Sequence, residues 1–150
     1  MLKKGDKIPD VQLLNSKNES VNLRDYIGKP LVIFFYPKDN TQGCTAQACG
    51  FRDHYDEFLA YDASIIGISK DTPGSHEKVI SKRKLPYPLL TDQKGKVLKA
   101  FGVSTYLFGA ISARCTFIVD KEGVIQYSFR EDIQIGKHIT KSLKMLEKLN

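Results

Sequence analysis

At 150 residues, with 41% hydrophobic and 27% charged residues, the chain has the size and composition expected of one globular domain spanning residues 1–150. Its net charge of +6 comes from lysines spread along the chain rather than from a basic block, which argues against a nucleic-acid partner. Met1 to Leu14 has no apolar leader core and no apolar run approaches the ~18 residues of a membrane span, so the expectation is a cytosolic protein with no membrane partner.

Val11 to Leu13 and Ser20 to Leu23 alternate in polarity around a turn at Asn15 to Asn18, which predicts an N-terminal β-hairpin. Leu31 to Phe35 is an apolar, β-branched and aromatic run suited to a buried strand, and Pro37 ends it. A helix is predicted from Thr41 onward, with Ala48, Phe51, Tyr55, Phe58 and Leu59 forming one apolar stripe. Ser64 to Ile68 is a second buried strand. Asp71-Thr72-Pro73 then starts a helix that runs to about Lys84. Leu85 to Pro88 is extended, because each proline disfavours helix at the residue before it. Val97, Leu98 and Phe101 predict a short helix before Gly102. Thr116 to Val119 and Val124 to Tyr127 predict a hairpin, and Lys137 to Asn150 an amphipathic helix. Strands separated by helices imply parallel neighbours, and the late hairpin adds antiparallel ones. The fold class is therefore α/β, a mixed central sheet flanked by helices.

The strand–loop–helix unit from Leu31 to Leu59 collects two of the three cysteines, Cys44 and Cys49. In a reducing compartment such a pair serves catalysis or metal binding more often than a structural disulfide. With Thr41 as N-cap, Cys44 is the third helical residue, beside unpaired N–H groups at the positive end of the helix dipole. Bringing a free cysteine to roughly 90% thiolate at pH 7 takes ~3.4 kcal/mol, and a helix terminus supplies ~0.3–2. A reactive thiolate at this position therefore needs a cation as well.

The two cysteines lie five residues apart, so in one helix their Cα atoms are ~8.7 Å apart, beyond the ~6.8 Å that a disulfide tolerates. Cys44 falls on the apolar stripe and Cys49 on the polar side with Arg52, Asp53 and Asp56. Either the two never pair, or pairing requires the helix start to unwind. A buried cysteine that only fills space remains an alternative. Zinc is disfavoured, since C-x-x-x-x-C is not a usual zinc spacing and no second pair completes four ligands. No metal and no cofactor are expected: no P-loop, G-x-G-x-x-G or paired-carboxylate signature is present.

Pro37, Thr41 and Cys44 spell P-x-x-x-T-x-x-C, which resembles the active-site signature of peroxiredoxins. The run YPKDNTQGCTAQACGFRD resembles the peroxiredoxin Q, or bacterioferritin comigratory protein, subfamily. So do Gly67 to Asp71 with Ser75-His76, Leu85 to Asp92, and Arg114 to Asp120. The resemblance implies a thioredoxin-like fold and thiol-dependent reduction of hydroperoxides, with thioredoxin or another thiol reductant as partner. It implies Cys44 as the peroxidatic nucleophile and Cys49 as the resolving cysteine. Thr41 would hydrogen-bond the thiolate and the peroxide, Pro37 would shield the sulfur from water, and Arg114 would be the cation. A monomer or weak homodimer is expected.

Three positions depart from the pattern. Gln42 stands where the subfamily usually has proline, Cys115 stands where it has serine, and Thr105 to Ile111 is unusually apolar. Cys115 is read as a core thiol facing away from Arg114. Lys38, Asp39 and Asn40 are read as a solvated loop, and His76 and His138 as surface residues. A redox-switched sensor and a thioredoxin-like disulfide reductase are the competing functions, the latter disfavoured because C-x-x-C is absent.

Overall fold

The computed structural model describes residues 1–106 and 111–149. Its centre is a seven-stranded sheet in the order β2-β1-β5-β4-β3-β8-β9. The strands are β1 (Gln12–Leu14), β2 (Ser20–Asn22), β3 (Leu31–Phe35), β4 (Ser64–Ser69), β5 (Leu89–Thr91), β8 (Cys115–Val119) and β9 (Ile125–Arg130). A separate two-stranded ribbon joins β6 (Thr105–Tyr106) to β7 (Ile111–Ser112). β3, β4 and β5 run parallel, while β8 is antiparallel to both β3 and β9. Among the described residues the α-helices are α1 (Gln42–Asp53), α2 (Tyr55–Ala60), α3 (Pro73–Arg83), α4 (Lys96–Phe101) and α5 (Gly136–Leu149).

β3 is buried along its whole length, and its alternation feeds two cores. Leu31, Ile33 and Phe35 point to the side covered by α4, among Phe101, Phe117 and Ile125. Val32, Phe34 and Tyr36 point to the side covered by α1, α2, α3 and α5. The Phe34 ring stacks on Phe51 of α1 with centroids 4.6 Å apart. That stacking depends on Gly67 of β4, where a Cβ would lie 2.7 Å from the Phe34 ring. α1 is thereby pressed against the carboxyl end of β3, and α5 crosses it where Ile139 meets Gly50.

Most of the expected elements are present, with two main differences. The helix from Thr41 breaks at His54, so its stripe changes phase: Ala48, Phe51 and Phe58 are buried, Tyr55 is half-buried, and Leu59 is exposed. The sequence shows no sign of β5, because a three-residue strand after Pro88 owes its existence to pairing with β4. The apolar segment Thr105 to Ile111 falls partly outside the described residues, as does Asn150 at the end of the last helix.

Candidate active site

The carboxyl end of β3 leads through Tyr36, half-buried Pro37 and the bridge Lys38 to Asn40 into α1. Strand ends of this kind, where the backbone hands over to a helix start, are where α/β sheets hold ligands. Thr41 takes the N-cap position with extended backbone angles of −83° and 153°, and its carbonyl accepts from the Thr45 N–H at 2.9 Å. Its side chain does not cap the helix. The hydroxyl donates instead to the Lys38 carbonyl at 3.0 Å, which folds the bridge back on itself. The expected bond from this hydroxyl to Cys44 is therefore replaced here by a bond within the turn.

Cys44 is buried on the first turn of α1, in the core that also holds Tyr36 and Ala48. Arg114 reaches the same helix start from a distant part of the chain. The antiparallel register sets Phe35 opposite Cys115, so Arg114, one residue earlier, emerges beyond the end of β3. Its guanidinium lies against Gly43, where a Cβ would come within 2.7 Å of Nη2. A side chain at position 43 would displace the cation. Arg114 Nη1 donates to Gln47 Oε1 at 2.8 Å, and the Arg114 backbone N–H donates to Asp132 Oδ1 at 2.9 Å. Burial works against ionisation of Asp132, but that N–H and Arg130 prevail and hold its carboxyl below the ordinary range.

Gln47 is a site residue that the sequence reading passed over. It is fully buried, one turn above Cys44 on the same stripe, and its Nε2 has no partner among the described residues. An amide among Cys44, Ala48 and Phe51 at helical spacing was the available signal.

Cys49 is half-buried instead of on the wet face. It lies near Arg52 and Tyr87. Tyr87 donates from its hydroxyl to the Ala48 carbonyl at 2.7 Å, and Arg52 donates to the Arg83 carbonyl at 2.7 Å. All three cysteines are free thiols. Both ends of the C-x-x-x-x-C run fall inside α1, so the helical separation of ~8.7 Å applies. Cys115 is buried on the opposite face of β8 among Phe35 and Phe117, as read from the alternation, and burial pushes its thiol up to about 12.

Three polar residues differ from expectation. Asp39, read as solvated, is buried; His76 and His138, read as surface residues, are fully enclosed. Their partners come from other elements, which local composition cannot show. His138 Nε2 meets the Glu131 carbonyl at 2.7 Å and must donate to it, leaving Nδ1 to accept from the Thr116 hydroxyl at 2.6 Å. Burial holds this imidazole below its ordinary pKa despite the Glu131 bond. It clamps α5 to β8 behind Arg114.

Residues 4–128 match the model of the AhpC/TSA family. Peroxiredoxin Q of Arabidopsis thaliana chloroplasts is 47% identical over 144 residues, covering 96% of this chain and 67% of that protein. The chloroplastic peroxiredoxin Q of Oryza sativa subsp. japonica is 44% identical over 146 residues, covering 97% and 67%. Among solved structures, peroxidoxin BcpB from Mycobacterium tuberculosis superposes with a TM-score of 0.93 at 33% identity, covering 100% of this chain and 99% of that one. Peroxiredoxin Q from Xanthomonas campestris gives a TM-score of 0.86 at 29% identity, with 97% of each chain covered. The cytosolic placement expected from the N-terminus is overturned by the chloroplastic relatives and is withdrawn. A thioredoxin-like fold, a buried cysteine on a helix start and relatives of this kind favour a peroxidase over the sensor and the disulfide reductase. The chain belongs to the AhpC/TSA family and, within it, to the peroxiredoxins of the peroxiredoxin Q type, which makes it a thiol-dependent peroxidase that takes a peroxide and a thiol reductant.

Proposed function

We propose that Cys44 is the peroxidatic nucleophile, that Cys49 resolves it, and that Arg114, Thr41 and Pro37 shape the site around the reacting sulfur. The observation that carries this reading is the place of Cys44: the third residue of α1, with the Arg114 guanidinium pressed against Gly43 beside it. A thiolate there attacks one peroxide oxygen. The S–O bond forms as the O–O bond breaks, and the leaving alkoxide or hydroxide takes a proton to depart as alcohol or water. Arg114 and the free N–H groups of the first turn favour negative charge at this point, on the thiolate and then on the departing oxygen. Pro37 lends the turn a fixed φ and no N–H, and covers the sulfur from water.

Cys44 is left as a sulfenic acid. The Cys49 thiolate attacks that sulfur, hydroxide leaves and is protonated to water, and a Cys44–Cys49 disulfide results. An external dithiol, thioredoxin or a similar protein, restores both thiols by two exchange steps. Because the two Cα atoms are ~8.7 Å apart in the helix, the segment from Gln42 to Gly50 unwinds in every cycle. Alkyl hydroperoxides join hydrogen peroxide as substrates. Support for this comes from the structures of the Xanthomonas campestris bacterioferritin comigratory protein, described for alkyl peroxide reduction. The 150 residues work as one peroxidase domain, as a monomer or weak homodimer.

Steady-state turnover with hydrogen peroxide, cumene hydroperoxide and a thioredoxin system tests the assignment. Cys44→Ser is expected to lose all turnover. Cys49→Ser is expected to react once with peroxide and then stall. Turnover surviving in Cys44→Ser, or undiminished dithiol-linked turnover in Cys49→Ser, would defeat the corresponding role.

A further inference from the structure

The bridge from β3 to α1 contains a carboxylate in an unusual place. Asp39 is only 6% exposed, although Lys38 and Asn40 on either side are exposed. Burying a carboxylate is costly unless its oxygens are hydrogen-bonded, and here three side chains meet them. Its Oδ1 accepts from the Tyr36 hydroxyl at 2.7 Å, and its Oδ2 accepts from the Ser75 hydroxyl at 2.8 Å. Oδ2 also lies 2.7 Å from Nδ1 of His76, which must carry the proton because a carboxylate only accepts. Burial would raise the Asp39 pKa, but these donors outweigh it and hold the carboxyl below its ordinary range. The Asp39 backbone N–H is fixed as well, donating to Asp71 Oδ2 at 2.8 Å. Asp71 in turn accepts from the Ser69 hydroxyl at 2.6 Å. His76, Ser75 and Asp71 stand 32 to 37 residues further along the chain, on and just before α3. The bridge is thus bolted through both backbone and side chain to a different element.

Little else holds this turn. Asn40 takes a φ of 63°, a left-handed conformation that costs a non-glycine residue energy. Among the described residues the Thr41 side chain bonds only to Lys38, inside the same turn. Gln42 at the first helical position has no ring to fix its φ, whereas a proline there would be preorganised for the helix. Tyr36, Asp39, Asn40, Cys44 and Thr45 also line one small cavity, so the bolt abuts the surroundings of the sulfur. We infer that Asp39 and His76 are positioning residues for peroxide reduction: their buried pair fixes the turn that sets Thr41 and the first N–H groups of α1 around Cys44. The inference rests on the assignment of Cys44 as nucleophile.

The rescue of a weakened turn makes it testable. Thr41, at φ −83° and ψ 153°, already has the extended backbone that a residue before proline requires. Gln42→Pro should therefore stiffen the turn from the helix side when the bolt is removed. The experiment is stopped-flow oxidation of the reduced protein by hydrogen peroxide, with dithiothreitol reduction of the oxidised form and a thermal melt run in parallel. Asp39→Asn is expected to lower the oxidation rate constant about tenfold. Its melt stays cooperative above the assay temperature and its reduction by dithiothreitol is unchanged. Adding Gln42→Pro is expected to restore oxidation to within about threefold of the unaltered protein. An Asp39→Asn protein that is folded and reacts at the original rate overturns the inference, as does a double variant as slow as Asp39→Asn alone. Should Asp39→Asn not fold, Tyr36→Phe with Ser75→Ala keeps the carboxylate and removes two of its donors. A slower rate that Gln42→Pro restores is then expected, and an unchanged rate overturns the inference. A Cys44→Ser protein still oxidised at the original rate would instead refute the underlying assignment of the nucleophile.

Discussion

Replacing Arg114 with alanine is expected to slow the reaction of Cys44 with hydrogen peroxide by about 10²–10³, the loss typical of removing one preorganised donor from a developing negative charge. The geometry concentrates the effect in this residue. Its guanidinium is the cation seated on the first turn of α1, against Gly43, and Nη1 is committed to Gln47. Alkylation of Cys44 by iodoacetamide at pH 7 should slow in parallel, because the thiolate loses its counter-charge. The buried Gln47 amide is left with neither polar end paired, which costs stability of about 1–3 kcal/mol. Arg114→Lys is expected to recover only part of the rate, since an ammonium lacks the planar fork that meets Gly43 and Gln47 together. The backbone bond from Arg114 to Asp132 survives both substitutions, so the β8 start stays in place. A stopped-flow rate for Arg114→Ala within about threefold of the unaltered protein would remove Arg114 from the site.

The second large effect is conformational. Amides from Gln47 to Gly50 are expected to exchange at least about tenfold faster in the disulfide form than in the reduced form, because their helical bonds are lost on oxidation. The unwinding has identifiable opposition. In the proposed disulfide form Cys44, Gln47 and Ala48 would leave the core in which they are now buried, the Arg114–Gln47 bond would break, and the Tyr87 hydroxyl would give up the Ala48 carbonyl. Arg52, two residues beyond the segment, is held by the Arg83 carbonyl at the end of α3, which would fix the carboxyl end of α1 while Gln42 to Gly50 melts. Tyr87→Phe removes one bond worth about 1 kcal/mol, and disulfide closure should then speed up roughly fivefold. Equal exchange protection in the two redox forms would rule out the unwinding, and no change of closure rate in Tyr87→Phe would rule out its part in it.

How much of this was legible in the sequence depends on how local each feature is. The strand–turn–helix unit, its Thr41 cap position and the two cysteines on it follow from periodicity and proline placement within thirty residues. Arg114 was legible only through the family resemblance, since the β3–β8 register that delivers it to Gly43 is a long-range pairing. The break at His54 was not legible: His54 lies between two helix-forming stretches, and Leu59 becomes exposed because α2 begins a new phase. His76 looked like a surface residue among serine, glutamate and lysine. Yet Pro73, His76 and Val79 share the buried face of α3, and the carboxylate that His76 Nδ1 meets sits 37 residues earlier. Asp39 was misread for the same reason, because a carboxylate flanked by Lys38 and Asn40 reveals its burial only once α3 is in place.

The most direct test of the central claim is a peptide map of the protein after one equivalent of hydrogen peroxide, with free thiols alkylated before and after unfolding. The expected product links Cys44 to Cys49 within one chain. Cys115, buried and pushed up to about 12, should be alkylated only after unfolding. A map in which Cys44 and Cys49 both remain alkylatable, or in which Cys115 carries the disulfide, would contradict the account.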